Sequence, residues 1–187
     1  TDYVIDGTGT AQHQDRRRDY LEVVTMLLIN DLKAVGDAWA AGASYHDSFV
    51  QADPKDSLTK ILFGMGSLSG AELSGERMRV AFETREQEDE HSCFSDNTHR
   101  DLYTNALGIE NVYLASYGGK ALGVSVSALV AARDAELDQT LKTQLRASVE
   151  AIAAIPPPFD QAILAPDGDP AREAVSAAIA ALKAQTK

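Results

Sequence analysis

The densest run of polar residues in the chain, EQEDEHSCFSDNTH, extends from Glu86 to His99. Its carboxylates and imidazoles are groups that bind iron or zinc in proteins, and a carboxylate beside a histidine can equally orient a general base. The alternative is a charged, exposed loop in which Ser95, Asp96 and Asn97 only cap the next helix. The run therefore predicts either a metal or acid–base site or a helix-capping loop.

A second pair of carboxylates, Glu72 and Glu76, is spaced four residues apart. On an α-helix this spacing places both on one face, which continues the apolar stripe of Leu58, Leu62 and Met65. Buried carboxylates are unfavourable unless they are paired or bind a metal. The pair predicts a polar site on a core face, unless the helix end reaches solvent or nearby arginines neutralise it. Those arginines are Arg77 and Arg79.

Other catalytic patterns are missing from the sequence. Its one cysteine, Cys93, excludes an internal disulfide and a cysteine-based zinc site, and a buried apolar role is favoured for it. No HExxH, GxSxG or glycine-rich phosphate loop occurs. Ser92 or Cys93 is a poor nucleophile beside His91 because adjacent side chains seldom reach each other. The catalytic residues therefore stay unknown at this level.

Charge and hydropathy exclude two classes of partner. The net charge of −11 opposes binding to nucleic acid, because phosphate neutralisation needs clustered lysine and arginine. The only basic run, Arg16 to Arg18, lies between Asp15 and Asp19 and is typical of a solvated helix face. No stretch approaches the roughly 20 apolar residues that a membrane span needs. We expect no nucleic acid and no membrane span in this chain.

Helical periodicity begins near Gln12, so residues 1–11, which are rich in turn formers, predict a loop or a severed linker. Apolar residues at three- and four-residue spacing then predict a long first helix ending near Gly42. These residues are Tyr20, Val23, Val24, Leu27, Leu28, Leu32, Val35 and Trp39. Asp53 followed by Pro54 predicts the start of a second helix.

The second helix contains several glycines, each of which costs about 1 kcal/mol relative to alanine in a helix. They are Gly64, Gly66, Gly70 and Gly75. Their number predicts close approach of a neighbouring backbone or a break in the helix. Residues 83–97 have no apolar stripe and predict a long loop.

The rest of the chain also has helical periodicity, and no alternating strand pattern occurs. We predict a third helix from Asp96–Thr98 to about Tyr117, a fourth from Asp134 to Ile155, and a terminal helix that begins at Asp169-Pro170. The fold class is therefore all-α. We expect an antiparallel bundle of four to five long helices that forms a single domain over residues 12–187.

Three segments resemble the imelysin-like proteins. The longest runs from Gly70 to Tyr117 and includes GERM and EDEHSCFSDNTH; the others are RRRDYL at Arg16 to Leu21 and IPPPFDQAIL at Ile155 to Leu164. The resemblance implies an all-α bacterial envelope protein of two related helical-bundle halves, located in the periplasm or outer cell envelope. Such proteins are associated with iron uptake and are also classed as metallopeptidases.

The family's signature, Gly-x-His-x-x-Glu, lies in its N-terminal half and is absent here. None of the four histidines, His13, His46, His91 and His99, is followed three residues later by glutamate. The chain therefore resembles the C-terminal half, and its implied partner is the N-terminal half, as a cleaved or separate chain. By position in the resembling segments, the implied metal- or ligand-binding residues are Glu76, Arg77, Glu90, His91, Ser95, Asp96 and Asn97, joined by Glu72 and Glu88 from the carboxylate patterns.

Three functions follow as hypotheses. The first is an iron-uptake protein that binds a divalent or ferric metal, iron or zinc, or an iron-bearing ligand, at the interface with the other half. The second is a metallopeptidase whose His-x-x-Glu motif is supplied by that half. The third is a scaffold whose long helices contact an iron-uptake partner in the envelope.

Overall fold

The computed structural model describes residues 3–187, and almost all of its regular structure is helical. The all-α prediction is confirmed. The chain forms two compact units: one ends at Thr59, and the other runs from Lys60 to Lys187. The extent predicted for a single domain, residues 12–187, stays a prediction. No helix in the described part of the chain is long and apolar enough to cross a membrane.

The first unit contains α1 (Gln14–Ala38), α2 (Ser44–Val50) and the start of α3 (Pro54–Gly66). The ring of Trp39, just after α1, lies edge-on to Tyr45 and Phe49 of α2, with centroids 4.9 and 5.1 Å apart. α3 begins where the sequence predicts. The Asp53 carboxylate caps it by accepting a hydrogen bond from the Lys55 N–H at 2.8 Å. No residue of α1 is buried, although its apolar stripe is typical of a core-facing helix.

The helix that begins as α3 widens rather than breaks at the predicted glycines. It continues as a π-helical segment, Ser67–Arg79, and then as α4 (Val80–Thr84). Buried residues of the π-helical segment recur every four or five positions, at Ser69, Leu73, Ser74 and Met78. A Cβ at Gly70 would lie 2.7 Å from the Thr186 side chain, whereas Gly64 and Gly66 have open space. The predicted close approach therefore exists at Gly70, where it involves a side chain rather than a backbone.

The second unit continues with five helices and a small hairpin. These are α5 (Thr98–Leu114), the hairpin β1 (Ser116–Tyr117) and β2 (Lys120–Ala121), α6 (Val126–Ala131), α7 (Ala135–Ala153), α8 (Phe159–Leu164) and α9 (Pro170–Gln185). The core lies where α7 and α9 pack against α5 and the π-helical segment. Asp134 and Asp169 cap α7 and α9 through hydrogen bonds from Leu137 and Ala171 N–H groups, as the sequence predicts.

The hairpin after α5 was not expected from the sequence. α5 ends at Leu114 rather than near Tyr117, because Ala115 adopts a left-handed conformation with φ of 47°. Ser116 then pairs with Ala121 in an antiparallel hairpin. Its two-residue turn is Gly118-Gly119, and both glycines have positive φ, as such turns require. The pair of glycines therefore forms the turn of the hairpin.

A buried arginine, Arg172 of α9, joins three parts of the second unit. Its guanidinium donates hydrogen bonds to the Ile163 carbonyl of α8 at 2.6 Å and to the Phe82 carbonyl of α4 at 2.8 Å. It also lies 3.8 Å above the Phe82 ring and contacts the Asp167 carboxylate at 3.2 Å. These contacts fix the end of α4, where the long loop starts.

We expect Arg172→Met to lower the free energy of unfolding by about 2–4 kcal/mol, because two carbonyls would lose their donor inside the protein. Chemical denaturation followed by circular dichroism measures the change. The matched control is Arg133→Met, at an exposed position, which should change stability by less than about 0.5 kcal/mol. Equal effects of the two substitutions would show that the Arg172 contacts do not stabilise the fold.

Candidate functional site

The predicted long loop lies between α4 and α5, from Arg85 to Asn97, and its first residue is anchored to the segment between α8 and α9. Arg85 has a left-handed conformation that ends α4. Its guanidinium donates to the Ala165 carbonyl at 3.1 Å and pairs with the Asp167 carboxylate. A short 3-10 turn, Gln87–Asp89, follows. The start of the loop is therefore held by the same carboxylate that Arg172 contacts.

The far end of the loop is hydrogen-bonded to the first turn of α5. The Ser92 N–H donates to the Thr98 hydroxyl at 2.9 Å, and the Ser92 hydroxyl donates to the Asp101 carboxylate. The Asn97 amide donates to the other oxygen of Asp101 at 2.8 Å. Asn97 precedes the helix but makes no side-chain cap bond to its backbone. The loop is thus fixed by side-chain contacts with Asp101 rather than by the predicted capping.

Glu90 is the buried acid of this loop. Its side chain is only 4% exposed, and neither carboxylate oxygen has a hydrogen bond of good geometry. Burial raises the pKa of Glu90, and the carboxylates of Asp160 and Asp96 raise it further. The Thr98 hydroxyl and His99 favour the charged form and lower this pKa, but with less effect than burial. A carboxylate in this state is suited to bind a cation or to hold a proton.

His99 is the second group with an unsatisfied polar atom at this site. Its Nδ1 is buried and has no hydrogen-bond partner. The imidazole lies close enough to Glu90 to lower the pKa of that carboxyl group. His99 is the last residue of the polar run in the sequence, but it is not among the site residues that the family resemblance implies. Only the burial of its ring nitrogen distinguishes it from the other histidines.

Of the other predicted loop residues, Asp96 influences the pKa of Glu90 through its charge. All of these residues are exposed: Glu88, His91, Ser95, Asp96 and Asn97. In the part of the chain that the structure describes, no group of three or more histidine, cysteine, aspartate or glutamate side chains is arranged to hold a metal. Glu90 and His99 have the donor types that iron and zinc select, so they fit part of a metal site but do not complete one.

The Glu72 and Glu76 pair is separated by the π-helical geometry. Glu72 forms an ion pair with Arg77 at 2.6 Å, and Glu76 is exposed. The buried face of this segment follows a wider repeat than 3.6 residues, so the spacing of four does not place the two carboxylates on the core face. The pairing of Glu72 with Arg77 is the alternative that the sequence left open. A role of Glu76 or Arg77 in binding stays a prediction.

A buried polar network lies apart from the loop and was missed by the sequence. The Asp138 carboxylate accepts hydrogen bonds from the Tyr113 hydroxyl at 2.9 Å and the Ser127 hydroxyl at 2.7 Å, and it pairs with Lys142 at 2.6 Å. Lys142 and Ser127 lower the pKa of Asp138, and burial raises that of Tyr113. Because these partners satisfy the carboxylate, we interpret the network as a structural link between α5, α6 and α7.

Comparisons with known proteins agree with this fold. The imelysin family model (Peptidase_M75) matches residues 2–187. A comparison with curated protein sequences finds no match. The crystal structure of an imelysin peptidase from Bacteroides ovatus aligns with a TM-score of 0.71 at 22% identity, and the alignment covers 90% of this chain and 50% of that one. The chain therefore spans about half the length of that protein, and the likeness shows the fold alone.

We predict that Glu90→Gln raises the free energy of unfolding at pH 7. The pKa of Glu90 is higher in the folded state than in the unfolded state, where it is about 4.3. Between these two values the folded chain holds a proton that the unfolded chain has lost, so wild-type stability falls as pH rises. The advantage of the variant should shrink as pH approaches about 4. Denaturation of both proteins from pH 4 to 8 measures it.

The control for this titration is Glu88→Gln, which neutralises an exposed carboxylate in the same loop. If the Glu90→Gln difference changes with pH no more than that of the control, Glu90 does not titrate abnormally in the folded chain.

Proposed function

Because the chain belongs to the imelysin family, we propose that it is one half of a two-bundle protein of bacterial iron uptake, which binds a metal or an iron-bearing ligand where the two halves meet. The observation that carries the proposal is the buried carboxylate of Glu90, which has no hydrogen-bond partner of good geometry. The resemblance also supports a location in the periplasm or outer envelope.

The chemistry of Glu90 and His99 supports the metal part of the proposal. Taking a carboxylate out of water costs free energy that a hydrogen bond, an ion pair or a metal normally offsets. Glu90 has neither a hydrogen bond nor an ion pair of good geometry. The charged groups near it include two other acids. A cation would neutralise Glu90 and use the free imidazole nitrogen of His99. Residues 3–187 supply too few ligands for a complete site, so in this proposal the remaining ligands come from the other half.

The exposed stripe of α1 supports the two-half part of the proposal. Tyr20, Val23, Leu27, Leu28, Leu32 and Val35 are each at least 55% exposed. A helix with this pattern normally buries it, and a contiguous apolar surface of this kind marks an interface. The structural neighbour is twice as long as the aligned region, which leaves room for a second bundle of similar size. A helical partner of the same protein would cover this stripe.

A second candidate function is a metallopeptidase, because the structural neighbour is an imelysin peptidase. A metal bound at Glu90 and His99 would supply Lewis-acid chemistry. In this function Glu90 and His99 would act as metal ligands, and a carboxylate that binds a metal is deprotonated, so the general base would come from the other half. The other half would supply the His-x-x-Glu motif and the rest of the cleft.

We expect the protein, purified with its second half, to retain a metal after incubation with iron, zinc, copper or calcium and removal of the excess. Glu90→Gln should weaken retention by about tenfold or more, because a ligand is lost. Element-resolved mass spectrometry measures the metal content. The control Glu86→Gln, at an exposed position of the same loop and outside the predicted binding residues, should bind normally. Unchanged retention by Glu90→Gln would contradict this site.

The same preparations distinguish the two candidate functions. Each is incubated with an unfolded polypeptide, with and without a chelator, and the products are separated by mass. Fragments that appear only without chelator, and not with Glu90→Gln, would support the peptidase. Metal retention without any fragments would support the iron-binding function alone.

A further inference from the structure

A pocket of about 380 Å³ lies between the first turns of α5 and the end of α7. One side carries polar groups from His99, Arg100 and Tyr103. The other side is apolar and consists of Ile152, Ala153, Ile155 and Pro157. Its volume is within the range of small-molecule sites, and its two-sided lining matches a ligand with one polar end and one apolar end.

Arg100 is the positive charge of this pocket, and no carboxylate neutralises it. Its neighbour Asp101 has one oxygen occupied by the Ser92 hydroxyl and the other by the Asn97 amide. Among the described residues, no ion pair or side-chain hydrogen bond involves the Arg100 guanidinium, which lies 5.4 Å from the Tyr103 ring centroid. The loop contacts that hold Asp101 therefore leave the guanidinium available to a ligand.

We propose that this pocket binds the carboxylate of a small molecule or of a peptide C-terminus that bears an apolar side group. A guanidinium pairs with a carboxylate through two parallel hydrogen bonds, and this geometry favours a planar monoanion. A polyanion is disfavoured because the chain carries a net charge of −11 and Glu90 lies next to His99. The apolar group packs against Ile152, Ile155 and Pro157. The proposal does not rest on the metal site, because no metal takes part in it.

The test is calorimetric titration of the 187-residue chain with three probes. They are N-acetyl-glycyl-phenylalanine, its C-terminal amide, and 3-phenylpropionate. The peptide acid should bind at least about tenfold more tightly than its amide, because only the acid has the charge that Arg100 pairs with. Arg100→Gln should weaken binding of the acid by about tenfold or more. The matched control Arg133→Gln, at an exposed arginine outside the pocket, should bind like the wild type.

The two acids identify the source of the carboxylate. Tighter binding of the peptide acid assigns the pocket to peptide C-termini, and equal binding of both acids assigns it to small carboxylates in general. Either result supports the proposal, provided that Arg100→Gln weakens the binding of the acid. Absence of binding by both acids, equal binding of acid and amide, or an unchanged affinity in Arg100→Gln would overturn it.

Discussion

The hydrogen bonds of the buried Arg172 guanidinium connect α9 to the backbone of α4 and α8, and the position of the loop depends on them. A buried guanidinium is stable only when its N–H groups have acceptors, and here two carbonyls and the Asp167 carboxylate provide them. Arg85, the first loop residue, contacts the same carboxylate. The last turn of α4 and the first residue of the loop are therefore fixed to one point of the second unit.

The burial of Glu90 follows from this anchoring. The loop is held at its start by Arg85 and at its end by contacts of Ser92 and Asn97 with Asp101, so the segment between them has little freedom to expose its acid. Burying a carboxylate without a partner lowers the stability of the fold, and stabilising contacts elsewhere offset this loss of free energy. Such a local cost, offset by surrounding structure, is typical of residues kept for binding or catalysis.

Local signals allowed the sequence to predict much of this architecture. Asp-Pro pairs at Asp53 and Asp169 mark helix starts because the capping and proline effects involve only neighbouring residues. The loop between α4 and α5 was also predictable from its lack of an apolar stripe. The family resemblance was confirmed over residues 2–187.

Other features depend on geometry or contacts that the sequence pattern does not contain. The π-helical segment changes the repeat of its buried face, so the four-residue spacing could not decide between a core position for Glu72 and Glu76 and the pairing with arginine. Arg172 donates a hydrogen bond to Phe82, which is distant in sequence. His99 is distinguished only by the burial of one ring nitrogen. Of the predicted loop ligands, only Glu90 is buried, and burial is unusual for a glutamate.

We propose that the loop with Glu90 faces a second bundle that completes its site. Hydrogen–deuterium exchange of the 187-residue chain, measured alone and after addition of the second half, tests it most directly. The account predicts slower exchange of the amides from Arg85 to Asn97 when the second half is bound. Unchanged exchange throughout this loop, in a complex that forms, would contradict the claim.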